Sequence, residues 1–287
     1  MTDDSAFARV YRFRLGDAEA SVVSDGPLAL GAPAEEFSAP SPAIAAESFA
    51  RHGLPADHTP LEQNALVVRL AGRTVLVDTG TGPSKPFGPD SGRLLASLAL
   101  AGIAPEEIDA VVLTHVHADH SWGLVGADGP AFPNATVHAS GRDVAFWTDE
   151  ANATNRGRAA IIAKTREVFA QVEGRLVRFA DDGDVLPGIR AVAAPGHSVG
   201  HTVVRIEAGG AALYVLGDLA HHPMQIETPE IVYRFDNDRV ASVASRRRVL
   251  AAVAAEGALA LGYHYPWPGL GRLSAAGEGW RFAATAS

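Results

Sequence analysis

The sequence predicts one α/β domain built as an αββα sandwich, in which two mixed β-sheets pack face to face and helices flank them. Two patterns support this class. Apolar runs of strand length fall into two β-rich halves of the chain, and helical patterns follow the strands of each half. No repeat of solenoid length interrupts residues 1–287, and 47% hydrophobic residues are enough to form a packed core.

The first β-rich half contains two hairpins with an irregular stretch between them. The hairpin strands cover 10–15, 18–23, 64–70 and 74–77. Residues 25–62 are rich in Pro and Ala, with one helical pattern at 42–52. We expect this irregular excursion to serve as a lid, as a dimer arm or as plain packing.

Helical and strand patterns then alternate along the chain. Further helical patterns cover 91–101, 140–148, 156–172 and 240–255. Further strand patterns cover 108–113, 136–138, 176–179, 189–194, 202–207, 211–216 and 259–261. We assign 176–179 and the strands after it to the second β-rich half. The three consecutive arginines at 246–248 are expected on a solvated face of the last helix or as salt-bridge partners.

Composition and charge disfavour several classes of protein. The net charge of -9 disfavours a nucleic-acid binder, which needs a basic face. The absence of cysteine excludes disulfides, thiolate metal ligands and a cysteine nucleophile. No apolar run approaches the roughly 20 residues that span a bilayer, and the acidic start at 1–5 has no apolar signal core. We therefore expect a cytoplasmic protein with neither a membrane nor a nucleic acid as partner.

One short segment concentrates side chains that bind metals. Residues 114–120 are Thr-His-Val-His-Ala-Asp-His, and they follow directly on the apolar run 108–113. In an extended chain His115 and His117 point to the same side. The adjacent Asp119 and His120 diverge and can serve a second metal. Imidazole suits zinc and related first-row metals, and carboxylate accepts the harder members of that group.

Further His and Asp residues follow the ends of later strands. They are His197 after 189–194, Asp218 after 211–216 and His264 after 259–261. A glycine lies one or two residues before each of them, which lets the backbone turn tightly. An Asp after a strand is by itself a common turn former. Four strand ends that each present a ligand type nevertheless predict a metal centre at one edge of the sandwich.

These residues resemble the metallo-β-lactamase superfamily. The matching segments are 74–80, 114–120, Pro-Gly-His at 195–197, Gly-Asp at 217–218 and His264, and the resemblance runs from about residue 10 to the C-terminus. It implies two divalent metal ions, with zinc expected first and manganese, cobalt or iron as alternatives. It implies that one metal is bound by His115, His117 and His197, that the other is bound by Asp119, His120 and His264, and that Asp218 bridges both.

A longer match is to the branch that holds methyl parathion hydrolase and related lactone and aryl-ester hydrolases. The matching segments are 87–89, 92–95, 101–103, 146–147, 268–272 and 279–282. By this resemblance Phe87 and Trp147 are aromatic substrate-binding positions, and we expect Phe235 to face the same pocket. The alternative is that Phe87 and Trp147 are ordinary core aromatics. Relatives are often dimers, so a homodimer is expected.

The implied chemistry is hydrolysis by a hydroxide shared between two metals, because coordination lowers the pKa of water from about 15.7 towards roughly 7. The candidate catalytic residues are Asp119, Asp218 and His221, with Asp218 holding the metals together and His221 donating to the leaving group. The branch member with phosphotriesterase activity has a leucine-like residue where His221 aligns. We therefore expect a hydrophobic lactone or aryl ester as substrate. Organophosphate triester hydrolysis and acyl-homoserine lactone quorum quenching are the alternatives.

Three other functions fit the sequence less well. A di-iron flavoprotein of this superfamily carries glutamate where this chain has His117. A glutathione-thioester hydrolase would bring a basic C-terminal region, whereas 257–287 is only weakly charged. An inactive scaffold would usually have lost ligands.

Several polar and aromatic residues around the motif receive supporting roles. We expect Asp78 to brace the ligand loops by hydrogen bonding, His201 to support or pack, and Trp122 to belong to the core. The remaining histidines, His52, His58 and His138, are expected at the surface.

Overall fold

A computed structural model describes residues 7–285, which form two large β-sheets with helices outside them. The first sheet has seven strands in chain order: Val10–Leu15, Ala18–Ser24, Asn64–Leu70, Arg73–Val77, Ala110–Val112, Thr136–Ser140 and Leu176–Phe179. The strands up to Arg73–Val77 pair antiparallel, and those from Arg73–Val77 onward pair parallel. This sheet is therefore mixed, as predicted.

The second sheet also has seven strands in chain order. They are Gly183–Leu186, Ile189–Ala193, Thr202–Ala208, Ala211–Val215, Leu259–Leu261, Leu270–Ala276 and Gly279–Ala284. All neighbours pair antiparallel except Ala211–Val215 and Leu259–Leu261, which pair parallel. The carboxyl ends of that parallel pair meet at the same sheet edge, which brings the segments that follow them together.

Helices cover the outer face of each sheet. The α-helices are Pro33–Glu36, Pro42–Arg51, Leu94–Ala101, Ala118–Ser121, Gly141–Thr148, Arg156–Val172, Met224–Glu227 and Arg239–Glu256. Short 3₁₀ helices cover Gly82–Ser84, Pro105–Glu107, Trp122–Leu124, Glu150–Asn152, Glu173–Arg175 and Gly217–Leu219. Several of these helices connect the parallel strands of the first sheet, because parallel neighbours need a crossover. No helix within 7–285 combines the length and the hydropathy that crossing a membrane requires.

Alternation along the strands divides the core into layers. Val68 and Val75 of the first sheet pack against Val204 and Leu213 of the second, in an apolar layer between the sheets. The neighbouring Val67 points to the opposite face, where the helices of the first half pack. The helix Arg239–Glu256 packs on the outer face of the second sheet. This layering confirms the predicted αββα sandwich.

The strand Leu176–Phe179 lies in the first sheet, so its assignment to the second β-rich half is wrong. It pairs parallel with Thr136–Ser140. The helices Gly141–Thr148 and Arg156–Val172 form the crossover between these strands, which returns the chain to the same sheet. The C-terminal hairpin of Leu270–Ala276 and Gly279–Ala284 was not predicted from the sequence.

The excursion at 25–62 contains more regular structure than its composition suggested. Strand Leu28–Leu30 pairs with Thr59–Leu61, and Phe37–Ser38 pairs with Val232–Tyr233. Outside the excursion, a third small strand pair joins Val125–Gly126 to Gly129–Pro130. The excursion therefore packs against the body of the chain, and it contributes part of the wall of the cavity described below.

Arg246 contradicts the expectation that 246–248 lie on a solvated helix face. Its side chain is fully buried, and its guanidinium donates to the carbonyl oxygens of Leu219, Pro229 and Ile231. Arg247 pairs with Glu230 at the surface, as expected of a salt-bridge partner. A buried guanidinium that satisfies several carbonyls fixes the loops they belong to, so Arg246 anchors the segment after Asp218.

Candidate metal centre

The histidine motif sits at the end of the buried strand Ala110–Val112. The chain leaves the strand in extended form through His115 and His117, and the short helix Ala118–Ser121 then carries Asp119 and His120. Asp119, His115 and His120 are buried. The motif therefore presents its side chains inward, to the edge where the two sheets meet.

Three histidine nitrogens converge on one point. Nδ1 of His117 lies 2.9 Å from Nε2 of His115 and 2.9 Å from Nε2 of His197. Oδ2 of Asp218 lies 3.1 Å from Nε2 of His197 and 3.7 Å from Nε2 of His115. We call His115, His117 and His197 the first donor group.

A second set of donors converges beside the first. Oδ2 of Asp119 lies 3.5 Å from Nε2 of His120 and 3.4 Å from Nε2 of His264. Oδ1 of Asp218 lies 3.0 Å from Nε2 of His120 and 3.2 Å from Nε2 of His264. We call Asp119, His120 and His264 the second donor group. Asp218 thus turns one oxygen to each group.

The donor atoms fit divalent cations. Within each set the ligand atoms lie within 4.8 Å of one another. Tetrahedral coordination at Zn–N distances of about 2.0–2.1 Å separates neighbouring ligands by about 3.3 Å, close to the separations found here. Nε2 of His120 and Oδ1 of Asp218 are buried and make no hydrogen bond of normal geometry with any residue in 7–285. Buried polar atoms of this kind require a partner, and a cation would supply it.

Hydrogen bonds behind the donors fix their orientation. Nδ1 of His120 lies 2.9 Å from Oδ2 of Asp78, and Nδ1 of His197 lies 3.1 Å from Oδ1 of Asp236. Nδ1 of His264 lies 2.8 Å from the carbonyl oxygen of Glu62. Because each acceptor takes the Nδ1 proton, Nε2 keeps its lone pair for a metal.

Asp78 and His201 brace the ligand loops. Asp78 accepts hydrogen bonds from the backbone N–H and the hydroxyl of Thr114, 2.8 Å each, in addition to its contact with His120. Nε2 of His201 accepts a hydrogen bond of 3.0 Å from the backbone N–H of Asp218. Gly217, between them, has φ of +54°, and a Cβ there would lie 2.8 Å from Nε2 of His201. The backbone turn that presents Asp218 therefore requires glycine.

The charges of the site attract cations. Burial raises the pKa of Asp119, but His120 and His264 outweigh it and bring the pKa down to about 2. Burial likewise raises the pKa of Asp218, and the surrounding histidines hold it well below its ordinary value. Burial lowers the pKa of His264, yet Asp218 and Asp119 raise it to about 9, so a metal that binds Nε2 must displace a proton. Two buried carboxylates that stay ionised create a negative potential at the point where the donor groups meet.

A cavity of about 340 Å³ opens above the donors. Its floor includes Asp119 and Asp218, and its walls include the aromatic residues predicted to bind substrate. Trp147 is 6% exposed and belongs to both the core and the wall, and its Nε1 donates to Oγ of Ser198 at 2.8 Å. Phe87 is half-buried, and Phe235 is 53% exposed at the rim. The structure therefore places all of these aromatics around one cavity.

His221 lies at the edge of the same floor. It is 1% exposed, its Nε2 lies 3.2 Å from Oδ2 of Asp218, and its ring stacks on His264 with centroids 5.3 Å apart. Neither ring nitrogen makes a hydrogen bond of normal geometry to residues within 7–285. Burial, more than the opposing attraction of Asp218, lowers the pKa of His221 to about 4. Its imidazole is therefore neutral at neutral pH, with one N–H to donate.

Two supporting carboxylates escaped the sequence analysis. Asp236 accepts from His197, and Asp143 accepts from the backbone N–H groups of Val116 and Gly200, at 2.7 and 2.9 Å. Asp143 also accepts from the hydroxyl of Ser198. Asp143 follows a strand at a helix start, which offers a weak signal. Asp236 lies in a loop without any motif, so only the fold reveals its role.

The remaining histidines follow the predictions in part. His58 is exposed as expected, with 58% of its side chain accessible. His138 is buried, because its strand lies inside the first sheet, and His52 packs on the ring of His222. The surface expectation is therefore wrong for His138, whereas His52 is half-buried. Trp122 is buried in the core as predicted.

Comparison with known proteins connects this geometry to a family. Residues 58–269 match the family model of the metallo-beta-lactamase superfamily. The dizinc quorum-quenching lactonase AidC is 25% identical, with a TM-score of 0.87 over 98% of this chain and 99% of AidC. The hydrolase AbOPH is 25% identical, with a TM-score of 0.89 over 97% and 98% of the two chains.

A third solved structure supports the fold alone. It is a probable metal-dependent hydrolase from Staphylococcus aureus, 21% identical, with a TM-score of 0.81 over 96% of this chain and 99% of that one. The family model spans most of the chain and includes the whole histidine motif. The chain therefore belongs to the metallo-β-lactamase superfamily.

Proposed function

We propose that this protein is a dinuclear metal-dependent hydrolase that opens lactones or cleaves aryl esters. The observation that carries the proposal is Asp218, whose two oxygens each face a different donor group at the floor of a largely apolar cavity. One carboxylate placed in this way can hold two cations close together. The first donor group would hold one ion and the second donor group the other.

We propose zinc as the metal, with manganese, cobalt or iron as alternatives. The donors are imidazole nitrogens and carboxylate oxygens, which suit these ions. AidC, a neighbour of this chain, is a dizinc lactonase. When bound, two such ions lower the pKa of water towards roughly 7 and polarise the oxygen of a substrate carbonyl.

The residues of the chain would bind and orient the substrate. The wall of Phe87, Trp147 and Phe235 would hold the flat or apolar part of the substrate and exclude water from it. His221, neutral at pH 7, can donate its N–H to the oxygen on which negative charge develops as the leaving group departs. A hydrogen-bond donor at this position favours a lactone or aryl ester. A phosphotriester would be better served by an apolar side chain in its place.

Acyl-homoserine lactone hydrolysis is the second candidate. It is one case of lactone opening, and the observation that favours it is the similarity to the quorum-quenching lactonase AidC along nearly the whole of both chains. Organophosphate triester hydrolysis remains the competing activity, because the same donor groups would serve attack at phosphorus.

A side-by-side assay tests the substrate class. Dihydrocoumarin, an acyl-homoserine lactone, an aryl acetate and methyl paraoxon are compared on the same metal-loaded preparation. We expect kcat/KM for the best lactone or ester to exceed that for methyl paraoxon at least tenfold, or about 1.4 kcal/mol. Preference for methyl paraoxon would replace the proposed activity with phosphotriester hydrolysis.

Metal analysis of Asp218→Ala tests the dinuclear site. Elemental analysis should give two ions per wild-type chain, and the variant should lose metal and nearly all turnover, because it removes the one residue that faces both groups. Asp184→Ala, at an exposed aspartate far along the chain from the motif, is the matched control and should keep both. A variant at Asp218 with two metals and normal turnover would refute the bridging role.

A further inference from the structure

Arg158 is the only arginine or lysine among the described residues that line the cavity. It lies in the first turn of the helix Arg156–Val172, whose N-cap residue is Asn155. The side chain of Asn155 accepts a hydrogen bond of 2.9 Å from the backbone N–H of Arg158. This cap fixes the helix start, and with it the point from which the arginine side chain enters the cavity wall.

Two aromatic rings hold the guanidinium. Its Cζ lies 5.6 Å from the ring centroid of Trp147 and 5.9 Å from that of Phe146. Cation–π attraction at this distance favours a guanidinium above the ring faces. It uses none of the five N–H donors of the group, so these donors stay available to a ligand.

The charge of Arg158 has no carboxylate partner within 7–285. Two other cations of the same helix have one, since Lys164 pairs with Glu167 and Arg166 pairs with Glu150, whereas the exposed Arg156 has none within 7–285. Arg158 makes neither an ion pair within 4.0 Å nor a side-chain hydrogen bond in the part of the chain that the structure describes. A half-buried cation beside an apolar cavity, held in place without a counter-charge, can receive an anion from a bound molecule.

The distance from Arg158 to the donor groups sets the size of that molecule. The ring of Trp147 lies near both, because its centroid is 4.7 Å from that of His117 and 5.6 Å from Cζ of Arg158. The separations of 5.6 and 4.7 Å place Cζ of Arg158 no more than 10.3 Å from the His117 ring. A substrate of a few carbon atoms can therefore span from the donor groups to the guanidinium.

The two ends of the cavity differ in the side chains they offer. Arg158 and Trp147 lie on the side of His117, whereas His221 stacks on His264 and packs on Tyr233, with centroids 3.9 Å apart. If the leaving oxygen points to His221, the acyl part of the substrate extends towards Arg158. This step rests on the proposed hydrolase function.

We propose that Arg158 is a specificity-determining residue that selects substrates whose acyl part ends in a carboxylate. The planar guanidinium matches a carboxylate in a two-pronged hydrogen bond. The surrounding apolar wall strengthens that interaction by excluding water. The substrate class is therefore an aryl ester or lactone that carries a free carboxylate several bonds from the carbonyl under attack.

Two matched substrates separate the effect of the substrate's negative charge from the effect of its shape. One is the 4-nitrophenyl half-ester of adipic acid, and the other is the same ester with its free carboxyl converted to the primary amide. The rate without protein is subtracted from each. We expect the wild-type protein to favour the acid over the amide about tenfold in kcat/KM, and Arg158→Met to abolish this preference because it lowers kcat/KM more for the acid than for the amide.

Two further variants make the test specific. Arg158→Lys keeps the charge but loses the two-pronged geometry, so it should keep part of the preference. Arg156→Met removes an exposed arginine of the same helix that does not line the cavity, and it should keep all of the preference. Equal losses for acid and amide in Arg158→Met would show that Arg158 only supports Trp147, and a similar loss in Arg156→Met would show a general surface-charge effect. Either result overturns the proposal.

A binding measurement separates this proposal from the proposed reaction. Calorimetric titration with the monoanilide of adipic acid and with its neutral diamide analogue needs no turnover. We expect the acid to bind the wild-type protein about tenfold more tightly than the diamide, and Arg158→Met to bind both alike. This result without any ester or lactone turnover would reject the hydrolase and keep the selection by Arg158. Turnover of neutral esters with no preference in either assay would reject the role of Arg158 alone.

Discussion

Asp236→Asn should weaken metal binding at the first donor group while leaving the shape of the side chain unchanged. Asp236 is buried, and its two oxygens both act as acceptors. Oδ1 lies 3.1 Å from Nδ1 of His197, and Oδ2 accepts from the backbone N–H of Tyr233 at 3.1 Å. Asparagine has one acceptor oxygen and one donor amide, so it can satisfy only one of these two donors.

The magnitude follows from the bond that is lost. Burial raises the pKa of Asp236, but its hydrogen bond and charge interaction with His197 lower it to about 2, so the group is a carboxylate at neutral pH. Hydrogen bonds to a charged group contribute about 1.5–3 kcal/mol. Loss of a carboxylate behind a metal-binding histidine typically costs about 10- to 100-fold in metal affinity. We expect a loss in that range, because His197 would no longer be held with Nε2 towards the metal.

The assay is competition with a chelator, followed by elemental analysis of the protein. Asp238→Asn is the matched control, since Asp238 only caps the helix Arg239–Glu256 through the N–H of Ala241, and asparagine caps a helix as well as aspartate does. The control should release metal at the wild-type chelator concentration. Wild-type resistance to the chelator in Asp236→Asn would refute the reasoning that Asp236 orients His197.

Three further outcomes are expected. Trp147→Leu should raise KM for aryl esters about 2- to 12-fold, because an aromatic contact contributes about 0.5–1.5 kcal/mol; an equal rise for small aliphatic lactones would indicate a packing role only. His221→Leu should narrow the kcat/KM gap between lactones and methyl paraoxon, and an unchanged gap would exclude His221 from substrate selection. Burial lowers the pKa of His222 to about 3 in the folded protein. Between this value and the unfolded pKa of about 6.5, only the unfolded chain binds the proton, so the free energy of unfolding falls as pH falls. From pH 7 to pH 5 this term should remove about 2 kcal/mol from the free energy of unfolding in urea with chelator present, and His222→Gln should lack it.

Local sequence was sufficient for the strands and helices with strong periodicity. Arg156–Val172, Leu176–Phe179 and Leu259–Leu261 have the bounds that the sequence predicts. The sheet to which Leu176–Phe179 belongs was predicted wrongly, because strand pairing depends on the crossover path and not on the strand itself. The small strands in 25–62 were missed, since each needs a distant partner such as Val232–Tyr233 to form.

The sequence also did not predict which charged side chains are buried. Arg246 looks like its two neighbours in a basic run, yet it alone is fully buried. Its position is set by carbonyl oxygens 15 to 27 residues away in the chain, which only the folded loop brings within reach. The same holds for Arg158, whose place in the cavity wall depends on Trp147 and Phe146 from the preceding helix.

The sequence by itself determined the αββα class and the set of His and Asp residues that meet at one edge, because strand ends carry their ligands to that edge through local chain geometry. Only the tertiary structure decided that Asp236 orients the ring of His197, that Asp143 holds the backbone of Val116 and Gly200, and that Arg158 brings a cation to the cavity. The physical reason is the separation along the chain over which each interaction acts. Periodicity and turns act over a few residues, whereas the direction of a lone pair and the partner of a charge are set by contacts between segments far apart in the chain.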